Sequence, residues 1–109
     1  YPNRVPSGVK PLSLADYGQL TFYRPDLETF SCLRVCMDAL RMGGLYPCAA
    51  NAANEEAVAL FREEKIRFLQ IGELVEKAAF AQRMPLEYTL EDVFGAEREA
   101  RRFVREHGR

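Results

Sequence analysis

One histidine, no tryptophan and three cysteines in 109 residues leave little material for catalysis. His107 stands close to the C-terminal end, so a triad, a histidine metal site or a histidine general base has almost no candidate. Cys32, Cys36 and Cys48 are an odd number without a disulfide-scaffold spacing. Even with His107 they make a poor closed zinc site, so buried reduced thiols are the expectation. Glycine is sparse too. The pair Gly43-Gly44 reads as a helix stop, and no phosphate-cradling glycine pattern occurs. No apolar run approaches the length of a membrane span, and no secretory signal pattern is visible. A formal net charge of −1 without blocks of one sign removes the case for a nucleic-acid or anionic-membrane surface. Arg98, Arg101, Arg102 and Arg105 cluster, but Glu97, Glu99 and Glu106 are interleaved with them, which describes a solvated helix face. Glu55-Glu56 and Glu63-Glu64 are adjacent pairs, and neighbours on a helix diverge by about 100°, so neither pair aims two carboxylates at one point. No catalytic, cofactor-binding or metal-ligating residue is expected in this chain.

What remains is an ordinary globular balance, 28% charged and 48% hydrophobic, in a length that suits one domain. Pro2, Pro6 and Pro11 with Ser7-Gly8 keep the first twenty residues out of helix. Yet Val5, Val9, Leu12, Leu14 and Leu20 give that stretch apolar groups to bury, as in a connector laid across a surface. Ser13 and Asp16 suit a single helical turn, and Leu20-Thr21-Phe22-Tyr23 a short extended run.

Four amphipathic helices follow. The first should start at Glu28 or Thr29 and stop near Met42, with Cys32, Leu33, Cys36, Met37 and Leu40 facing inward and Gly43 in the left-handed region behind it. The second runs from about Cys48 to Glu64. The third runs from about Ile71 to Arg83, with Ile71, Leu74, Val75 and Ala78 inward and Pro85 closing it. Thr89 caps the fourth, whose stripe is Val93, Ala96, Ala100, Phe103 and Val104. Gly95 within it implies a close helix contact. Such helices cover their stripes only against one another. The expected fold is therefore all-α, a four-helix bundle over residues 23–109 preceded by an extended proline-rich linker over residues 1–22.

The stretch that organises the chain is Asn51-Ala52-Ala53-Asn54-Glu55, which puts small residues and amides into one helix. Ala53 should let a neighbouring element approach closely. Asn54, at the edge of the apolar stripe, should be hydrogen-bonded to neighbouring backbone rather than to a ligand.

This stretch belongs to an ordered set. Pro2-Asn3-Arg4-Val5, Ser7-Gly8-Val9-Lys10-Pro11-Leu12, Leu20-Thr21-Phe22 with Pro25-Asp26, Cys32-Leu33, Asn51 to Glu55 and Ile66-Arg67-Phe68 occur in this order and spacing. Together they resemble the C-terminal part of the 1-deoxy-D-xylulose 5-phosphate reductoisomerase family, over essentially the whole chain. Two positions depart from the family pattern. Ser31 stands where proline is frequent, and Ala50 stands where a larger aliphatic residue is common. The resemblance implies an enzyme of non-mevalonate isoprenoid biosynthesis, which rearranges 1-deoxy-D-xylulose 5-phosphate and reduces the product to 2-C-methyl-D-erythritol 4-phosphate. It implies NADPH and a divalent cation (Mg²⁺, Mn²⁺ or Co²⁺) for the full-length protein, a cytoplasmic location and a homodimer. It places the nucleotide, metal and substrate residues in earlier domains, so the partners of this chain would be those domains of the same protein.

The expectation is thus a non-catalytic helical domain cut from a longer chain, as the initial Tyr1 also suggests. A free-standing helical interaction module is the alternative, and a small metal protein using Cys32, Cys36 and Cys48 a distant third. An apolar patch should remain where the other domains pack. Through it the fragment could dimerise or exchange its lead segment. A monomer with its lead folded on its own bundle would count against this.

Overall fold

The structure is a computed structural model that describes residues 2–81 and 83–108; the parts of the expectations that fall on Tyr1, Gln82 and Arg109 lie outside the described residues. Among the described residues every regular element is a helix: α1 (Leu14–Tyr17), α2 (Ser31–Met42), α3 (Tyr46–Arg62), α4 (Phe68–Ala79) and α5 (Leu90–His107). Helices α2 to α5 form the four-helix bundle. The lead before them is extended, interrupted by the one turn of α1 that Ser13 caps through the amide of Asp16. Residues Leu20 to Tyr23 pair with no strand among the described residues. α1 packs against no other helix. The Cα radius of gyration is 17.9 Å, against about 13 Å for a compact chain of this length, because the lead stands away from the bundle.

Helix boundaries follow local chemistry. Asp26 Oδ1 accepts from the amides of Glu28 and Thr29 at 3.1 and 3.0 Å, which holds a turn ahead of α2 and delays its start to Ser31. Gly43, with φ of 71°, donates its amide to the Ala39 carbonyl and ends α2 at Met42 as expected. α3 starts two residues earlier than expected because Pro47 fits the first turn, where its missing amide costs nothing. It ends at Arg62, and Glu64 turns the chain with φ of 60°. α4 spans Phe68–Ala79, three residues earlier at its start than expected, with Gln70 accepting from the amide of Arg67. It stops at Ala79, well before Pro85. Thr89 and Asp92 form a reciprocal capping box at the start of α5.

α3 is the central helix. Ala49, Ala50, Ala52, Ala53 and Ala57 are all buried, and α2, α4 and α5 pack against it. Alanine on so much of its circumference permits close approach from three sides, and Val35, Val75 and Val104 are the largest fully buried side chains. The expected inward stripes of α4 and α5 hold: Ile71, Leu74, Val75 and Ala78 are buried, as are Ala96, Ala100 and Val104, with Val93 and Phe103 half-buried. The expected stripe of α2 does not. Val35 and Ala39 face the core, Cys32 is half-buried, and Leu33, Cys36, Met37 and Leu40 are exposed. Gly95 has open space beside its Cα, so no close helix contact explains it. The close contact falls at Gly72 instead, where an added Cβ would lie 2.0 Å from Ser31 Oγ.

Candidate functional site

Each group singled out in the sequence has a position in this bundle. The thiols of Cys32 and Cys48 are pushed above the ordinary range, chiefly by burial, which disfavours a reactive thiolate. Cys48 lies 3.6 Å from the Val93 carbonyl, while Cys36 is exposed, contrary to the buried setting expected for it. All three are free. Among the described residues no group of three or more His, Cys, Asp and Glu side chains is placed to hold a metal ion. His107 sits in the last turn of α5, its Nδ1 2.8 Å from the Phe103 carbonyl and its ring stacked on Phe103 at 4.1 Å.

The arginines of α5 do more than face solvent. Arg101 binds Glu55 of α3 and, at 2.9 Å, Glu97 of its own helix; Arg105 clasps both carboxylate oxygens of Glu56 at 2.7 and 2.9 Å. Glu56 also lies 3.8 Å from Arg101, so the adjacent pair Glu55-Glu56 converges on one guanidinium after all. The Arg101 guanidinium, then Asn51, hold the Glu55 carboxyl below its ordinary value. On the opposite side Arg34 of α2 grips Glu76 of α4 with two bonds of 2.9 Å and lowers its pKa. These pairs set the rotation of each helix about its axis. They are structural.

Asn54 is half-buried and makes no side-chain hydrogen bond among the described residues; the bond expected to neighbouring backbone is not there. Asn51 bonds Glu55 at 3.1 Å instead. Asn54 borders a cavity of about 230 Å³, rimmed by Phe30, Leu33, Val58 and Phe68. Phe68 meets Phe30 and Phe61 edge to face at 6.2 and 6.1 Å, and all three rings are exposed. A second cleft, of about 380 Å³ between α5 and the loop before it, carries Glu91, Asp92 and Glu99 beside Arg83 and Arg102. It gathers no nucleophile or metal-ligand set.

Large apolar groups on the surface are the most unusual feature. Val5, Val9, Leu12, Leu14, Leu20 and Phe22 are exposed along the lead, and Phe30, Leu33, Met37 and Leu40 along α2. Among the described residues no helix is long and apolar enough to cross a membrane.

Comparison with known proteins identifies the family. A family model described as the DXP reductoisomerase C-terminal domain matches residues 1–103. The chain is 48% identical over 105 residues to the 1-deoxy-D-xylulose 5-phosphate reductoisomerase of Gloeobacter violaceus, and 42% identical over 106 residues to that of Acetivibrio thermocellus. Those matches take in 96% and 97% of this chain but only 27% and 28% of the relatives, so the chain spans about a quarter of their length. A solved reductoisomerase from Zymomonas mobilis in complex with NADPH superposes with a TM-score of 0.81 at 36% identity, over 99% of this chain and 29% of that one. A reductoisomerase solved in complex with magnesium gives 0.76 at 32% identity. The chain belongs to the DXP reductoisomerase C-terminal domain family.

Proposed function

We propose that this chain is the non-catalytic, structural C-terminal part of a reductoisomerase that converts 1-deoxy-D-xylulose 5-phosphate to 2-C-methyl-D-erythritol 4-phosphate. Residues 1–22 serve as the interdomain linker and residues 23–109 as the helical domain. The rearrangement and the reduction are performed by domains outside this chain, which bind NADPH and a divalent cation; no residue here is assigned to catalysis, cofactor or metal. The working protein is a cytoplasmic homodimer. The observation that carries this reading is the match to about a quarter of each relative, together with a C-terminal-domain family model over residues 1–103. The exposed apolar lead supports it, because such a segment needs a covering surface that the bundle does not supply.

The test is an assay of the 109-residue chain with NADPH, Mg²⁺ and 1-deoxy-D-xylulose 5-phosphate. No NADPH oxidation is expected, and measurable turnover overturns the assignment of catalysis to other domains. The same exposed lead also suits a free-standing interaction module. The parent gene separates the two: a dinucleotide-binding fingerprint upstream favours the enzyme, and its absence the module.

A further inference from the structure

α2 is apolar on two opposite sides. Val35 and Ala39 are fully buried against the bundle. Leu33 lies two residues from Val35, about 200° around the helix. With Phe30, Met37 and Leu40 it makes a stripe at spacings of three, four and three, the seam of a helix that packs against a partner. Its members are between 41% and 73% exposed. The helix cannot roll to bury them. The Arg34–Glu76 fork ties it to α4, and Ser31 is seated against Gly72. The outward faces of α4 and α5 differ. α5 presents Glu91, Arg98, Arg102 and Arg105 to solvent and α4 presents Glu73 and Lys77, and their exposed large apolar groups, Leu90 and Phe94 in one and Phe68 and Leu69 in the other, sit near the helix starts. A helix apolar on both sides is one built to be sandwiched.

We infer that the Phe30–Leu33–Met37–Leu40 stripe of α2 is the face on which the preceding domains of the same polypeptide dock. This rests on the reading of the chain as the C-terminal part of a longer enzyme. Two observations select that occupant. The relatives carry nearly three-quarters of their length outside the matched region, enough to cover the face. The stripe also begins at Phe30, a few residues after the exposed Phe22 and Tyr23 of the lead, and the Phe30 ring meets the exposed Phe68 of α4, so the uncovered apolar groups of the lead are followed in the chain by those of the bundle. Along the chain, α2 is the first bundle helix after the lead.

The test compares the 109-residue chain with a fusion in which it replaces the C-terminal part of the Gloeobacter violaceus relative, each with and without Met37→Lys and Leu40→Lys. In the isolated chain the double substitution should shift Tm by no more than about 4 °C, because both side chains already face water. A larger fall means the stripe belongs to the chain's own core and overturns the inference, whether or not the fusion folds. The unsubstituted fusion should melt in one transition that the double substitution splits into two. One unchanged transition in the substituted fusion overturns the stripe as the docking face while leaving the structural role standing. Two transitions in the unsubstituted fusion, one at the Tm of the isolated chain, overturn the structural role itself. A dimer of the fusion that the substitution dissociates without splitting its melt assigns the stripe to a second copy and overturns the inference.

Discussion

Val75 in α4 and Val9 in the lead are the same side chain in opposite settings, 0% exposed in one and 77% in the other. The pattern repeats around them. In the bundle, Ile71, Leu74 and Ala78 are buried; in the lead, Val5, Leu12 and Leu14 stand in water. Each large aliphatic group moved from water into a core contributes about 1.5–3 kcal/mol. The bundle collects that contribution within itself. The lead has the groups but no surface to set them against, since prolines deny it a helix and α1 is a single turn in contact with no other helix. Burial is therefore a property of the pair of surfaces, and the lead has apolar groups without a partner surface among the described residues.

The largest effect should come from making one substitution in the bundle. Val75→Asp places a carboxylate in a fully apolar site without a partner, at a cost of several kcal/mol, most of what a domain of this size has. Far-UV circular dichroism at 25 °C should show the helices largely lost, and a native spectrum would mean that the core admits water at α4. A smaller loss should follow Gly72→Ala. The added methyl meets Ser31 Oγ at 2.0 Å and Ser31 Cβ at 3.3 Å, so overpacking should outweigh the helix preference for alanine and leave a net loss of about 1–2 kcal/mol. Adding Ser31→Ala removes the nearer clash and should return part of the loss in the urea midpoint. A gain in stability from Gly72→Ala alone would show that α2 and α4 are packed more loosely than described.

The inward stripes of α4 and α5 are legible from spacing alone, although α4 lies three to four residues earlier than expected and Phe68, Leu69, Leu90 and Phe94 are apolar yet exposed. Spacing was enough for Gly43 and Thr89, whose roles are local. It failed at α2 for a physical reason. That helix carries two apolar stripes, and the one with the larger residues, Leu33, Met37 and Leu40, looks like the core face. The true core face is the smaller pair Val35 and Ala39, which join the α3 alanines and the α4 residues Ile71 and Val75 in one buried cluster. The same alanines explain why Ala53 was rightly placed inside. A buried amide usually has a backbone partner, but Asn54 is only half-buried and borders an open cavity, where water can serve it. The ion pairs of Arg101 and Arg105 with Glu55 and Glu56 join residues more than forty positions apart, and no local pattern encodes such a pairing.

Arg101→Met should cost less than Gly72→Ala, about 1 kcal/mol, because its near partners Glu55 and Glu97 reach solvent and the more buried Glu56 lies 3.8 Å away and keeps Arg105. It is distinguished by its dependence on conditions. Glu55 is held below its ordinary pKa of 4.5 by Arg101 in the folded chain, so this contribution is complete above about pH 4.5 and is lost as pH falls through the lowered folded value. Thermal melts of the native chain and the variant should therefore converge as pH drops below 4.5, and also as salt is raised. A difference that persists unchanged at pH 3 would assign the effect to packing of the Arg101 stem.

The smallest effect should come from repeating the first substitution in the lead. Val9→Asp introduces the same carboxylate as Val75→Asp, but the side chain it replaces contacts water before and after unfolding. The Tm of the 109-residue chain should stay within the spread expected of a surface change, about 0.5 kcal/mol in stability. Phe22→Asp should behave alike, although Phe22 is far larger, since it is 85% exposed. If either change destabilises the chain appreciably, the lead folds back onto its own bundle in solution, and the exposed apolar groups lose their meaning as a surface for another domain. If neither does while both weaken the fusion with the preceding domains, then the lead acts only once those domains are present. The two valines would then differ in which part of the protein buries them, one within this bundle and the other against a neighbouring domain.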